Sequence, residues 1–436
     1  MPNRRTLVVG TTADYVDAIC RRLPGKAVFL TDRQHRAQAA ERPPAPADEA
    51  VCDLADNEQA FAVLTRHMAR WNWQPAGLAC FDCESMVLAA ILAGRLGLPY
   101  PSPQAVAACR SKFASKHVWN REGLPCPQVT LVHTADDALR FAEGLAGPVV
   151  LKPLTGSGSE LVFLCRDARE ITAAFHTLQT RLANHHDHRM YAPQACDGRE
   201  IDPRRVFVAE EFVAGDEYSC DFLLDEQGAR IIRVARKVLH PRQPIGTTLA
   251  YVVPARLPAG LDVASLAEQV RRGGTALGLR RTVGMLDFIV RDGQAVMIEM
   301  APRPGGDCLP PLLEQSGGVD ILGLTLAFAA GERPVVPPLS DWKLRVGLRV
   351  IATQAGTIRR VQDEPLRADP RVVQYSLRRG PGCHVSLPPE DYESRILGYA
   401  IFQPSSRHSI EAECLELTDK IHVEVESPKC RDLTPS

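Results

Sequence analysis

The sequence has little net charge and no long apolar run. Its 51 lysines and arginines nearly balance 52 acidic residues, which leaves a formal net charge of -1. Such a balance gives no field that would attract nucleic acid or an anionic membrane. No stretch reaches the roughly 18 apolar residues of a membrane-spanning helix, and the N-terminus lacks the apolar centre of a signal peptide. We therefore expect a cytoplasmic protein whose partners are small molecules.

Two patterns that would define other protein classes are also missing. The 13 cysteines are scattered singly apart from Cys80 and Cys83, which indicates reduced thiols and no disulfide framework. Gly10 ends the first predicted strand, but the other glycines of the G-x-G-x-x-G dinucleotide pattern do not follow it. The sequence therefore disfavours a disulfide-stabilised secreted domain and a dinucleotide-dependent dehydrogenase.

The chain, at 436 residues, is long enough for two to three domains. Alternating strand and helix patterns over residues 1–110 predict a parallel α/β domain. A central region, residues 111–335, holds the polar motifs described below. A proline-rich linker then leads to a mainly β region, residues 336–436, which could close over a site. The overall fold class is therefore α/β.

The segment that ends at Arg303 places two carboxylates and an arginine at the end of a predicted β-hairpin. Residues 288–290 and 295–298 have strand patterns, joined by a turn over residues 291–294. Such a hairpin brings Asp287 and Glu299 side by side, and close carboxylates repel each other unless a cation lies between them. Oxygen ligands suit Mg²⁺ shared with phosphates, which Arg303 could also reach. A solvated surface hairpin is the alternative interpretation.

A lysine and a small-residue loop lie upstream. Lys152 ends a predicted buried strand, and the loop that follows is small enough for its backbone N–H groups to close over a phosphate. Lys112 lies on the first turn of a predicted helix, whose N-terminus adds positive potential. The alternative interpretation of the loop is a flexible turn. The predicted loop residues at the phosphate are Gly156, Ser157, Gly158 and Ser159.

An acidic connector lies between two further predicted strands. The segment from Glu210 through Glu211 to Val213 could offer a backbone donor and acceptor to an adenine edge. Glu217 opens the next strand and could accept hydrogen bonds from ribose hydroxyls. An ordinary acidic hairpin is the alternative.

Taken in order, these elements resemble the ATP-grasp superfamily over roughly residues 112–318. The resemblance implies an ATP-grasp fold with a lid subdomain over about residues 124–211, and ATP and Mg²⁺ as cofactors, with Mn²⁺ as an alternative metal. It implies phosphate contacts from Lys112 and Lys152, a metal site at the two hairpin acids, and catalytic roles for Lys152 and Arg303. One position departs from the family pattern, because many members carry an asparagine where this chain has Ala301.

Within the superfamily, the residues around Arg303 look most like the L-amino acid ligases. The resemblance implies an ATP-dependent carboxylate–amine ligase that joins amino acids through an acyl phosphate, with a homodimer as one option for its assembly. The alternatives are a carboxylase or formate-dependent ligase acting on a biotin or purine precursor, and a nucleotide-binding module without turnover. The basic strand near residue 236 is predicted to bind substrate, although a solvated face would have the same pattern. The substrate-binding candidates are Arg236, Lys237, Tyr251, Arg303, Gly305 and Gly306.

Overall fold

In the computed structural model, which describes residues 3–196, 199–405 and 407–426, the N-terminal region forms a four-stranded sheet flanked by helices. Its elements are β1 (Asn3–Val9), α1 (Ala13–Arg22), β2 (Ala27–Asp32), α2 (Arg33–Gln38), β3 (Glu49–Cys52), α3 (Asn57–Trp71), β4 (Trp73–Ala79), α4 (Met86–Leu96) and α5 (Pro103–Arg110). The strand order is β3-β2-β1-β4 with parallel neighbours. Buried apolar runs such as residues 7–9 suit a sheet covered on both faces. The predicted parallel α/β unit is confirmed.

The central region contributes a four-stranded antiparallel sheet with its helices, and the strands β11 to β15 of a larger sheet. Its elements are α6 (Lys112–Arg121), β5 (Val129–Val132), α7 (Ala135–Glu143), β6 (Val149–Pro153), β7 (Phe163–Cys165), α8 (Ala168–Ala183), β8 (Gln194–Cys196), β9 (Arg199–Ile201), β10 (Phe207–Glu211), β11 (Asp216–Asp225), β12 (Gly228–Leu239), β13 (Thr248–Val253), α9 (Val263–Ala276), β14 (Thr282–Arg291), β15 (Gln294–Ala301), α10 (Leu309–Gly317) and α11 (Ile321–Ala329). The antiparallel sheet β5-β10-β6-β7 packs against α7 and α8 around its own apolar core. This layer corresponds to the predicted lid.

The C-terminal region is mainly β, as the sequence predicts, but three of its strands continue the central sheet. Its elements are a 3₁₀ turn (Leu339–Asp341), β16 (Arg345–Ile351), β17 (Gly356–Gln362), α12 (Glu364–Arg367), β18 (Val372–Leu377), β19 (His384–Val385), β20 (Ile396–Phe402), α13 (Ile410–Thr418) and β21 (His422–Glu426). The resulting eight-stranded sheet has the order β15-β14-β11-β12-β13-β16-β20-β18. A separate C-terminal sheet is limited to β19-β17-β21. The large sheet therefore contains strands from both sides of the domain boundary that the sequence predicts near residue 335.

The two faces of the eight-stranded sheet differ in character. One face packs into an apolar core that includes Tyr218, Leu286 and Phe288. On the other, Asp287 is paired with Ser219 on β11 across an antiparallel ladder. Because side chains alternate along a strand, the register decides which polar residues share this face. None of the helices in the described ranges combines the length and apolar character needed to cross a membrane.

Candidate active site

The β14–β15 hairpin pairs the two predicted metal acids. Asp287 lies directly opposite Glu299 in the antiparallel register, beside a bulge between Asp287 and Phe288. At the far end of the hairpin, Asp292 and Gly293 have φ of 52° and 75°, the left-handed conformation that a two-residue connection of matching twist requires. The hairpin thus brings both carboxylates together on neighbouring strands.

Lys237, a predicted substrate residue, contacts the first of these acids. Its ammonium group lies 2.9 Å from Asp287 Oδ2, whereas Asp287 Oδ1 is buried without a hydrogen-bond partner among the described residues. Burial alone would lower the pKa of Lys237, but the charges of Asp287 and Glu217 raise it. A buried carboxylate oxygen without a donor is costly unless a cation meets it. Together with Glu299, this oxygen fits a Mg²⁺ ion.

The loop after β6 contains several residues with positive φ. Gly156 and Gly158 have φ of +122° and +66°, and Ser159 has a φ of 59°. Left-handed conformations of this kind can turn neighbouring N–H groups, including that of Ser157, toward one anion. The Ser159 hydroxyl donates to Gly246 O at 3.1 Å. The loop therefore contacts the segment that precedes β13.

Lys112 reaches this loop from the first turn of α6. Its backbone N–H donates to Leu154 O at 2.9 Å, and its ammonium group donates to Gly156 O at 3.1 Å. Burial lowers the pKa of Lys112, a shift that Glu299 opposes and Lys152 reinforces. Two buried lysines, the loop and Glu299, one of the predicted metal acids, therefore lie close together.

Glu210 lies between two buried lysines, one of which the sequence interpretation missed. Its oxygens lie 2.6 Å from Lys152 Nζ and 2.9 Å from Lys116 Nζ. Burial lowers the pKa of Lys116 to about 8. Burial alone would raise the pKa of Glu210, but the two lysines lower it. Lys116 follows Lys112 by four residues, the spacing that aligns side chains on one helix face, and this signal could have identified it.

Near its start, the connector between β10 and β11 has a backbone donor without a partner in the described part of the chain. The N–H groups of Glu211 and Phe212 donate to main-chain carbonyls at 2.9 and 3.1 Å, and the Glu211 carboxylate lies 3.0 Å from Arg291 Nη1. Val213 is buried, and its N–H has no hydrogen-bond partner in the described part of the chain. Burial raises the pKa of Glu217 at the start of β11. Among the predicted adenine contacts, the Val213 N–H is therefore the donor that remains.

Arg303 extends beyond the end of β15 toward the N-terminal region. Its Nε donates to Cys83 Sγ at 3.0 Å and its Nη1 to Pro304 O at 2.8 Å. Burial alone would lower the pKa of Arg303, but Cys83 and Glu84 raise it. Within the described ranges, no salt bridge joins Arg303 to either metal acid. Its guanidinium therefore does not neutralise those acids.

Gly305 and Gly306 have different surroundings. The N–H of Gly305 donates to Asp221 Oδ1 at 2.9 Å, and a Cβ at this residue would lie 2.6 Å from Arg233 Nη2. A Cβ on Gly306 would lie 3.6 Å from the Tyr15 hydroxyl, which is ordinary contact. Packing therefore requires a glycine at residue 305, whereas a Cβ at residue 306 would make only ordinary van der Waals contacts.

Arg236, predicted with Lys237 to bind substrate, does not lie on the face of the sheet that carries the two hairpin acids. Its Nη1 lies 2.6 Å from Glu411 Oε1, whereas its neighbour Lys237 contacts Asp287. Successive side chains of a strand point to opposite faces, so Arg236 and Lys237 lie on different faces. Tyr251 lies opposite Lys237 in the ladder, and its hydroxyl accepts from Arg349 Nη2 at 3.0 Å.

Ala301 leaves the hairpin with two carboxylates as its side-chain ligands. It is buried opposite Met285 on the neighbouring strand. Across the residues that the structure describes, no group of three or more His, Cys, Asp or Glu side chains could hold a metal ion. A metal at Asp287 and Glu299 would therefore need further oxygens from bound nucleotide or water.

Comparison with known proteins identifies the central region. A family model for the ATP-grasp domain matches residues 145–311. These residues form an ATP-grasp domain. The chain is 29% identical over 317 residues to an uncharacterized protein of Sinorhizobium fredii, a match that covers 72% of this chain and 61% of that protein. It is 26% identical over 263 residues to a D-alanine–D-alanine ligase of Ralstonia pickettii, covering 57% of this chain and 72% of the ligase.

A longer curated protein and two solved structures are also similar to this chain. Carnosine synthase 1 of Homo sapiens is 27% identical over 267 residues, which are 59% of this chain and 30% of that protein. The crystal structure of an L-amino acid ligase from Bacillus licheniformis has a TM-score of 0.75 at 19% identity, covering 98% of this chain and 100% of that one. N5-carboxyaminoimidazole synthase from Aspergillus clavatus has a TM-score of 0.67 at 15% identity, covering 96% and 100%. These likenesses confirm the predicted ATP-grasp fold.

Proposed function

We propose that this protein is an ATP-dependent ligase that joins a carboxylate to an amine through an acyl phosphate, with amino acids as substrates. The observation that carries the proposal is the pairing of Asp287 with Glu299 beside the buried lysines, while Arg303 extends past them without pairing to either. Such a site has acids for a metal and, for the reacting group, a guanidinium that is not paired with either acid. Similarity to proteins named as ligases of alanine and of other amino acids supports the substrate class.

ATP would lie between the lid layer and the eight-stranded sheet. Lys112 and Lys152 would bind its phosphates, because both are buried beside the loop at residues 156–159. The Val213 N–H would donate to the adenine edge, and Glu217 would accept hydrogen bonds from the ribose. Glu210 would act by holding Lys152 in place, and not by contacting adenine through its carboxylate. Glu211 belongs to the connector that is proposed to contact the adenine edge, and it would contribute through its main chain and not through its carboxylate.

Asp287 and Glu299 would hold Mg²⁺, with Mn²⁺ as an alternative. When bound, the ion would offset the charge of the transferring phosphoryl group and align its oxygens. Lys237 would act on the same group, because its ammonium lies at the edge of the acid pair. A protonated lysine and a metal ion can share one carboxylate, since Asp287 has one oxygen toward Lys237 and one without a partner among the described residues.

The reaction would proceed in two steps. A carboxylate oxygen of the first substrate attacks the γ-phosphorus of ATP, the bond to the β–γ bridging oxygen breaks, and ADP leaves. The amine nitrogen then attacks the carbonyl carbon, phosphate leaves, and the nitrogen gives up its proton to the departing phosphate or to water. Arg303 would hold oxygens of the phosphoryl group and the carbonyl, a planar arrangement that a guanidinium suits. Closure of the loop at residues 156–159 would exclude water, which would otherwise hydrolyse the acyl phosphate.

Substrate-dependent ADP formation tests the proposal. Purified protein with Mg²⁺ and ATP would be assayed against pairs of amino acids for ADP and phosphate, with mass spectrometry of the products. We expect ADP when two amino acids are present, together with a product that has lost one water relative to the pair. Asp287→Asn is the inactive control. ADP formation stimulated by bicarbonate or formate, without a condensed product, would contradict a ligase of amino acids and would instead indicate a carboxylase or a formate-dependent enzyme.

A further inference from the structure

A cluster of polar side chains, here called the Arg378 cluster, lies where three regions of the chain meet. Helix α1, the loop after β15 and the C-terminal strands each contribute to it. Arg378 Nη2 lies 3.3 Å from Asp14 Oδ2 and 3.5 Å from Asp307 O. The Arg378 guanidinium also lies 5.7 Å from the centre of the Tyr399 ring. The residues of the cluster are Asp14, Tyr15, Gly306, Asp307, Arg378 and Tyr399.

Arg349, the other arginine close to Asp307, has a hydrogen-bond partner at each of its three nitrogens. Its Nε donates to Asp307 Oδ2 at 2.6 Å, its Nη1 to Thr248 O at 3.2 Å and its Nη2 to the Tyr251 hydroxyl at 3.0 Å. Three of the five N–H groups of this guanidinium are therefore engaged, which fixes the side chain in place. Arg349 thus holds Asp307, and Arg378 is the less constrained of the two cations.

Arg378 has donors to spare. Both of its contacts use Nη2 at long distances, and its Nε and Nη1 have no hydrogen-bond partner in the ranges that the structure describes. Its side chain is 41% exposed. The backbone, in contrast, is fixed at the end of β18, because the Arg378 N–H donates to Leu397 O at 2.7 Å. The strand therefore presents a positioned cation with an open fork, the arrangement that binds a carboxylate through two parallel hydrogen bonds.

We propose that Arg378 binds the α-carboxylate of the amine substrate, which makes the second substrate an α-amino acid. The inference rests on the proposed ligase function. Arg303 and Arg378 approach two neighbouring residues of the chain. A Cβ placed on Gly306 would lie 4.0 Å from Arg303 Nη1, and the carbonyl oxygen of Asp307 accepts from Arg378. In an α-amino acid, one carbon separates the attacking nitrogen from the carboxylate. A cation just beyond the reacting carbonyl is therefore where that carboxylate must be neutralised.

Comparing an amino acid with its carboxamide tests this assignment. The carboxamide keeps the attacking nitrogen and the side chain but lacks the negative charge. With wild-type protein, we expect the KM for the amino acid to be lower than that for the carboxamide. Arg378→Gln should raise the KM for the amino acid about tenfold or more, leave the KM for ATP unchanged and abolish the preference over the carboxamide. Arg379→Gln, a change of the neighbouring arginine, is the matched control and should leave the preference intact.

Three outcomes would contradict the assignment. If the acid-over-amide preference survives in Arg378→Gln, the inference is wrong while the ligase function stands. If Arg378→Gln and Asp14→Asn lower the melting temperature equally and raise the KM of both substrates equally, the pair is an interdomain clasp and not a binding site. If wild-type protein forms no amide with either substrate, the ligase function fails and this inference fails with it.

Discussion

Replacing Lys116 with methionine tests the buried charge cluster beside the phosphate loop. Lys116 is fully buried, and its ammonium group contacts Glu210 at 2.9 Å and Ile298 O at 2.6 Å. Methionine keeps most of the apolar stem but removes both contacts. Removing one partner of a buried ion pair costs about 3–5 kcal/mol. Because Lys152 still pairs with Glu210 at 2.6 Å, we expect a loss near the lower end, about 3 kcal/mol.

The assay is equilibrium unfolding in urea, followed by tryptophan fluorescence. Trp119 is fully buried on the same helix as Lys116, so its signal reports the unfolding of α6. Lys26→Met is the matched control, because Lys26 is exposed, and a surface change of this kind should alter the free energy of unfolding by less than about 0.5 kcal/mol. Loss of less than about 1 kcal/mol in Lys116→Met would refute the reasoning.

The pH dependence of this difference gives a second check. The pKa of Glu210 is lowered from its ordinary value of 4.5 in the folded state, against the effect of burial, by Lys116 and Lys152. Its stabilising contribution is therefore present above pH 4.5 and is lost as the pH falls through the folded-state pKa. The stability difference between wild type and Lys116→Met should shrink in that acid range. If the difference in the free energy of unfolding stays constant down to the lowest pH at which the protein folds, Lys116 does not act through Glu210.

Three further substitutions separate the roles of the site residues. Glu299→Ala should abolish turnover with an unchanged circular dichroism spectrum, because Glu299 is proposed to bind the metal ion and does not lie in an apolar core; near-wild-type rates would contradict that role. Lys152→Ala should raise the KM for ATP about tenfold or more, and an unchanged KM would mean that the phosphates bind elsewhere. Arg303→Lys should lower kcat about 100-fold, as loss of one oxyanion donor does, while ATP affinity and melting temperature stay near wild type. Parallel loss of binding, stability and kcat would assign Arg303 a structural role.

Local features of the site could be predicted from the sequence. Asp287 and Glu299 lie opposite each other because of the length of their hairpin. The turn of that hairpin could be predicted because Asp292 and Gly293 are residue types that adopt positive φ. The turn after Lys152 could also be predicted, because a strand, a lysine and small residues are adjacent in the chain, whereas the role of Lys112 at the phosphates was implied by the family resemblance and stays a prediction. The spacing between Lys112 and Lys116 carried equivalent information that the interpretation did not use.

Features that depend on pairing between distant segments could not be predicted. Cys83 lies 220 residues before Arg303, yet it accepts the hydrogen bond from Arg303 Nε. The antiparallel pairing of β16 with β13 requires that this edge of β13 is not already paired with another strand. The local sequence does not specify which edge remains unpaired. The different faces of Arg236 and Lys237 relative to the hairpin acids also depend on register, because a one-residue change moves a side chain across the sheet.

The most direct test of the central claim follows an oxygen atom. The carboxylate substrate would be labelled with ¹⁸O, and the inorganic phosphate and nucleotide products would be examined by mass spectrometry. The proposed reaction breaks the acyl carbon–oxygen bond in its second step, so one carboxylate oxygen must leave with the phosphate. We predict one ¹⁸O in each phosphate formed, with unlabelled ADP as the nucleotide product. Unlabelled phosphate, or label in AMP, would contradict an acyl phosphate formed on the γ-phosphoryl group.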